Sequence, residues 1–399
     1  MKSDKITKAQ AKSLWMSAQG LHDKNYFGKG PTATTKVIEH LGYVQIDTIS
    51  VIERCHHHIL YSRIPDYHQE HLHKAQTHDK TIFEYWTHAL AYVPTKDFRF
   101  FQSRMEKNVK SPHPWYDSVK KEDLQQLYRL IKKDGPISIR DIQDDVLVEK
   151  DHLWASRKPS KKALQLGFNQ GKLVISERIG MLKKYELADR HFNWDKRPKP
   201  AKEEELNEYL LERALRSQAL VSLESICYLE ASRKAAMKAL IQKHIDKQEL
   251  IPIHIDGAEK IQHWMKPELL KKKVKIDQEL VHILSPFDPL IIQRKRLKLF
   301  FDYQHLFEAY IPKEKRIYGY FALPILVGDE VVAVIDLKID RQQRKLLIQK
   351  WTWLPKQKST VLKKMIETEL HRFEKFQLQS AGPLPHDPKR NLVSFEGVH

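Results

Sequence analysis

Two stretches of this chain repeat one order of elements, and that repeat limits the folds open to it more than any other feature. In the first stretch Glu122–Lys133 has helical apolar spacing, and Gly135-Pro136 breaks it. Ile137-Ser138-Ile139 then reads as a short strand leading to a short helix, and another helix starts near Ser160 (SKKALQLGFNQGK). LVISERIGMLKKYELA follows as two strands joined by a turn at Gly180. In the second stretch Glu204–Ser217 is a helix, Leu220-Val221-Ser222 a short strand, Leu223–Leu229 a short helix, and SRKAAMKALIQKHIDKQ from Ser232 a third helix. ELIPIHIDGAEKIQHWM closes it as two strands turning at Asp256-Gly257. Helix, short strand, helix, helix, hairpin is the order of a winged helix, a relative of the helix-turn-helix. The linker KRPKPAK (Lys196–Lys202) separates the copies, which are placed at 115–195 and 203–270.

The flanking regions extend this plan. Residues 1–110 have the material for a third, looser winged-helix-like unit. Ile6–Gly20 is helical, with Ala9, Ala11, Leu14, Trp15 and Ala18 on one face and Gly20 at its end. Thr32–Leu41 is a second helix closed by Gly42. TIFEYWTHALAYVP (Thr81–Pro94) reads as a strand running into a short buried helix. From 280 to 380 short apolar runs with turns at Gly319, Gly328-Asp329 and Asp340-Arg341 suggest a small antiparallel β-barrel or sheet, followed by a helix over Thr360–Phe376. The tail 381–399 is Gly/Pro-rich and is expected to be loosely held. The expected class is α+β, with winged-helix units around a small antiparallel β-barrel.

The richest local chemistry lies in LGYVQIDTISVIERCHHHILYSR, Leu41–Arg63. Val44, Ile46 and Thr48 are β-branched and predict a strand, in which Gln45 and Asp47 point the same way, about 6.6–7 Å apart. Val44 and Ile46 back them on the opposite face, an arrangement that can hold a water molecule in place. From Thr48 the apolar spacing turns helical, and Thr48 is placed to cap that helix. A structural reading of Asp47, as a residue capping the turn before Thr48, competes with a catalytic one.

Charge narrows the partner. The chain carries 69 Lys+Arg against 51 Asp+Glu, a net charge of +18 spread along its length, which favours a polyanion, nucleic acid first. The candidate phosphate contacts are Arg157, Lys158, Lys161, Lys162, Arg178, Lys183 and Lys184 in the first copy, and Arg233, Lys234 and Lys238 in the second. Arg178–Lys184 is the wing expected to enter a minor groove. Arg294, Arg296 and Arg316, with Asp288, are candidates from the C-terminal region, and His57 and His88 from the first. Three consecutive histidines, His56 to His58, cannot converge on one ion in a helix or strand, so no metal is expected. Cys55 and Cys227 make no disulfide framework, and neither a secretory leader nor a bilayer-spanning run is apparent; a reducing cytoplasm is expected, with the protein on the nucleoid when bound to DNA. Nothing in the sequence calls for an oligomer.

VQID within Leu41–Arg63, FEYWTH (Phe83–His88), LSPFDPLIIQRKRLKLFFDY (Leu284–Tyr303) and YIPKEKRIYGYFALPILVGDEVVAVIDLKIDR (Tyr310–Arg341) together resemble the AlkZ/AlkX (YcaQ-like) bacterial DNA glycosylases, in order and through nearly the whole chain. The resemblance implies three tandem winged helices on a β-barrel scaffold with a concave DNA-binding surface. It also implies excision of alkylated bases, N7-alkylguanine in particular, and unhooking of interstrand crosslinks in double-stranded DNA. Gln45-Ile46-Asp47 matches the Gln-apolar-Asp motif of the YcaQ-like branch; the AlkZ branch has a second Gln in place of the Asp. Where the family commonly has Glu two residues beyond His88, this chain has Leu90. The chemistry fits without cofactor: a purine alkylated at N7 is cationic and leaves readily, so no carboxylic acid need protonate it. One carboxylate, Asp47, can stabilise the oxocarbenium-like transition state and take a proton from water, with Gln45 orienting that water. No lysine in the motif offers an amine nucleophile, so a monofunctional enzyme is expected. The competing class is a non-enzymatic winged-helix transcriptional regulator.

Overall fold

Capping groups and glycines set the first elements. Thr7 caps the helix Lys8–Ala18 by accepting the Gln10 N–H at 3.1 Å, and the helix buries Ala11, Leu14 and Trp15. Gly30–Leu41 ends at Gly42, whose φ of 79° is the left-handed conformation that suits glycine. The computed structural model describes residues 4–144, 158–379 and 393–395. They fall into two units: a larger one of residues 1–71, 86–92 and 203–380, and a smaller one of residues 72–85, 93–202 and 381–399, as far as these are described.

In the larger unit the second repeat is built from Glu203–Gln218, Leu220–Val221, Leu223–Ile226, Lys234–Asp246, Ile251–Ile255 and His263–Met265. Leu211, Leu215, Met237, Ile241 and Trp264 pack between its helices and hairpin. Its strands lie in the order 220–221, 263–265, 251–255, and Asp4–Ile6 joins the outer edge in parallel. Trp15, Leu220, Ile253, Met265, Leu284, Leu297, Phe300 and Val334 share one core, so the N-terminal helix, this hairpin and the C-terminal sheet are fastened by the same apolar surface.

That C-terminal sheet differs from the expected barrel. Val281–Ile283, Ala322–Val327, Glu330–Asp340 and Lys345–Trp353 pair antiparallel in that order, and among the described residues no pairing closes the last strand onto the first. Val281–Ile283 has three residues, and the helix Thr360–Leu378 lies against both outer strands, burying Ile366, Leu370, Phe373 and Phe376. A helix covers the edges that a barrel would pair.

The smaller unit holds the first repeat: Lys121–Asp134, Ile137–Ser138, Pro159–Asn169, Leu173–Ile179 and Leu182–Leu187, with strands ordered 137–138, 182–187, 173–179. Gly180 turns the hairpin at φ 62°. Ile142–Asp144 is extended rather than helical and pairs in parallel with Val393–Phe395, so part of the tail is a strand. Arg157 lies outside the described residues. Thr81–Pro94 contains no helix: Ile82–Trp86 and Leu90–Pro94 are both strands, because the Thr87 N–H and hydroxyl both donate to the Ala89 carbonyl and turn the chain tightly. No described helix is long and apolar enough to cross a membrane.

Candidate active site

The strand that carries the Gln-Ile-Asp motif is short. Val44–Gln45 pairs antiparallel with Tyr92 and Ala91, and the Ile46 N–H reaches the Leu90 carbonyl at 2.8 Å. Val44, Gln45 and Ile46 are buried, and Asp47 is half-buried at the point where the chain leaves the strand. The helix expected from Thr48 starts only at Cys55, after irregular backbone, and Thr48 caps nothing. Instead Asp47 Oδ1 accepts the Ile49 N–H at 2.8 Å, a side-chain turn that spends the local capping capacity. The capping role considered for Asp47 is thus real for one lone pair, and a carboxylate has about four acceptor sites. Cys55 Sγ–H donates to the Gln45 carbonyl at 3.1 Å and ties the helix to the strand. Burial, and then the charge of Asp47, push the Cys55 thiol well above its ordinary pKa, so it stays neutral.

His88 fixes the Gln45 side chain. Its Nε2 lies 3.1 Å from Gln45 Oε1, and its ring stands edge-on to Tyr43 and Tyr228 at 5.1 and 5.5 Å. Burial, with a further push from Arg213, lowers the His88 pKa to about 4, so the imidazole is neutral near pH 7 and its N–H donates to the amide oxygen. The Gln45 amide nitrogen then points away from His88 and can only donate. Sequence reading missed Tyr43, Tyr228 and Arg213. Arg213 comes from the helix Glu203–Gln218 and sits over Tyr43 at 5.9 Å; a Cβ at residue 42 would run into its side chain, which gives Gly42 a second purpose. Leu90, where the resemblance leads one to expect a carboxylate, contributes its backbone carbonyl.

The histidine triplet disperses. His57 Nδ1 meets the Tyr67 hydroxyl at 2.7 Å, His58 Nε2 meets the Ile283 carbonyl at 2.7 Å, and His56 packs on Tyr92. The tip of the second hairpin brings His254, Asp256 and Glu259 within 4.8 Å of one another, but Lys5 already supplies a cation to Asp256 at 2.8 Å.

Several of the expected phosphate contacts are committed inside the protein. Arg178 is buried and holds Glu84 through two bonds of 2.6 Å, and Lys184 pairs with Glu177 at 2.7 Å. Lys158 donates to the Ile139 and Ile142 carbonyls. Arg296 is buried over Trp15 and Phe300 and donates to the Leu220 carbonyl; Arg294 binds the Ile291 and Pro286 carbonyls. Asp288, fully buried, accepts two hydrogen bonds from Arg63, whose other donations go to Gln19 and the Ile59 carbonyl. Arg178, Arg296 and Asp288 are buried in these contacts, whereas Lys158, Lys184 and Arg294 are half-buried in theirs. Lys161 and Lys162 remain half-buried on their helix, Lys162 over the Trp115 ring, and Lys183 lies over Phe168 with its pKa lowered to about 8, chiefly by burial. Arg316 bonds the Ile311 carbonyl and stacks on Tyr320.

Gln45, Asp47 and His88 fall within a segment that matches a model of DNA glycosylases. That model, AlkZ-like, covers residues 38–376, and the chain belongs to the AlkZ-like DNA glycosylase family. The fold is similar to that of the Streptomyces sahachiroi DNA glycosylase AlkZ, with a TM-score of 0.60 over 94% of this chain and 97% of that one, at 15% sequence identity.

Proposed function

We propose that this protein is a monofunctional DNA glycosylase that hydrolyses the N-glycosidic bond of N7-alkylguanine and related cationic alkylpurines in duplex DNA, including purines held in interstrand crosslinks. The observation that carries this reading is the Gln45 amide fixed by a neutral His88, two residues from the half-buried Asp47 carboxylate. In the proposed reaction the bond between C1′ and the base breaks with its electron pair going to the base, which neutralises the positive charge of the alkylated ring. Asp47 stabilises the positive charge that builds on the sugar. Gln45, its oxygen engaged by His88, offers an N–H to the oxygen of the attacking water, so the water proton is directed to Asp47. His88 acts through Gln45 and is a positioning residue.

In the same reading the stretches 115–195 and 203–270 are winged-helix units that grip the duplex, 1–110 carries the site, and 280–380 is scaffold. Lys161, Lys162 and Lys183 are the first copy's remaining phosphate contacts. The protein works as a monomer in the cytoplasm. Asp47→Asn tests the assignment on a duplex with one N7-methylguanine, scored as abasic sites. Excision is expected to fall on the order of 10²–10³-fold with DNA affinity unchanged. Excision at the wild-type rate would remove Asp47 from the mechanism, and a wild-type protein that binds DNA but makes no abasic sites would favour the regulator.

A further inference from the structure

The loop from Glu308 to Tyr320 is built unlike an ordinary surface loop. Glu308 is buried, and its carboxylate accepts the N–H groups of Ile317, Tyr318 and Gly319 at 2.6, 2.6 and 3.1 Å, which closes the loop on itself. Asp336, also buried, accepts the next two, from Tyr320 and Phe321, at 2.8 and 3.0 Å. Gly319 has φ 133°, and a Cβ there would collide with the Asp336 carboxylate. Lys350 reaches the Ile317 carbonyl from the neighbouring sheet at 2.6 Å. Five backbone donors on two buried carboxylates give the loop one shape before any partner arrives.

Its outer face is apolar and basic at once. Of the ten large apolar side chains that are exposed among the described residues, four lie here: Tyr310, Ile311, Ile317 and Tyr320. Tyr310 is 83% exposed and Ile317 59%. Lys313 and Lys315 are exposed beside them, and the Arg316 guanidinium lies 4.9 Å from the Tyr320 ring. Three cations against the single acid Glu314 select an anionic partner, and the apolar side chains between them need a partner that also has flat apolar faces. Nucleic acid offers both. A loop that is already ordered loses little freedom on binding.

We propose that the Glu308–Tyr320 loop is a preformed DNA contact, in which Lys313, Lys315 and Arg316 hold phosphates while Tyr310 and Ile317 press against base or deoxyribose faces. The inference rests on the reading of this protein as DNA-binding, and not on the chemistry assigned to Asp47. Two double variants test it in the full chain: Tyr310→Ser with Ile317→Ser, and Lys313→Gln with Lys315→Gln. The probes are labelled duplexes, one undamaged and one with a tetrahydrofuran abasic analogue, titrated over a salt series. The first variant is expected to weaken binding to the analogue about tenfold with the salt slope unchanged, as loss of stacking contacts does. The second should reduce the slope of log Kd against log salt by about 1.8, the value for two phosphates. Both should keep the wild-type melting temperature, because the substituted side chains are in water. Wild-type DNA affinity and slope in both variants would overturn the proposal, including the case in which they lose an acidic protein partner instead. Because binding is read without excision, loss of affinity in a protein that makes no abasic sites would uphold the loop and refute the glycosylase; abasic sites made by the wild type, with wild-type affinity and slope in both variants, would do the reverse.

Discussion

The hairpins of the two repeats share a strand order and differ in what covers their outer strand. In the first, the outer strand Leu173–Ile179 is capped by side chains: Gln76 Nε2 donates to the Ile175 carbonyl at 2.9 Å and the Thr77 hydroxyl to the Ser176 carbonyl at 3.1 Å. The register shifts between Ile175 and Glu177, and beyond the shift Arg178 binds Glu84. In the second, the outer strand Ile251–Ile255 is capped by backbone, the parallel strand Asp4–Ile6, with Ile6 and Ile255 buried and the ion pair Lys5–Asp256 left in water. An outer strand leaves backbone groups unpaired, and each hairpin removes that liability in its own way. The first depends on a buried charge pair, the second on backbone pairing and apolar packing. The arginine and the lysine of the first hairpin, Arg178 and Lys184, are paired with Glu84 and Glu177.

The sharpest way to break this contrast is Glu84→Gln. Burial alone would raise the Glu84 pKa, and the Arg178 guanidinium more than offsets it, so the carboxyl sits below its ordinary value and is charged at neutral pH. Removing its charge takes the Glu84 carboxylate away from the buried Arg178 guanidinium, at a cost of about 3–5 kcal/mol. Denaturant unfolding followed in the smaller unit should show that loss, and Arg178→Met in the same protein should recover a large part of it. An unfolding midpoint equal to wild type would mean that the pair does not hold the first hairpin.

The second hairpin should respond to pH through a different group. His263, on its inner strand, is buried and bonds the Ile261 carbonyl at 2.9 Å; burial and then Arg296 lower its pKa from 6.5 to about 4. The unfolded chain therefore takes up a proton between pH 6.5 and 4 that the folded chain refuses. The stability is present above about pH 6.5 and is lost as pH falls, by up to about 1.4 kcal/mol per unit from this residue. His263→Gln should flatten the fall of melting temperature between pH 6.5 and 5 by about 2 kcal/mol when converted through the unfolding entropy. The strands of the first hairpin contain no histidine, so the matching control there is a variant with an unchanged slope.

Local signals and distant ones were legible to different degrees. The longer helices of the two repeats, the turn at Gly180 and the short strands before each third helix depend on neighbours within a few residues and stand where pattern placed them. The short helices expected from Thr48, after Ile139 and before Pro94 do not. The pairing of Arg178 with Glu84 joins residues 94 apart, and the strand Asp4–Ile6 pairs with residues far along the chain. No periodicity carries either fact. Basic residues were read as a class, yet burial divides Arg178 and Arg296 from Lys313 and Lys315. The same holds at the site: Gln45 and Asp47 could be named from strand alternation, whereas Tyr43, Arg213 and Tyr228 meet around His88 only after folding. The expected barrel failed because strand patterning does not say whether an outer strand finds another strand or, as with Thr360–Leu378, a helix.

The smallest expected effect lies in the pair that most resembles Arg178–Glu84 on paper. Lys5 and Asp256 are 2.8 Å apart, nearly as close as the buried pair, but both side chains are largely in water. Asp256 raises the Lys5 pKa, which says that the charges sense each other and nothing about stability, because water and salt screen an exposed pair and its long side chain loses freedom on pairing. Lys5→Ala should leave the melting temperature unchanged at physiological salt, while the strand around it goes on covering the second hairpin through its backbone. If Lys5→Ala instead destabilised the larger unit as strongly as Glu84→Gln does the smaller, charge would hold both hairpins and the distinction between them would fall.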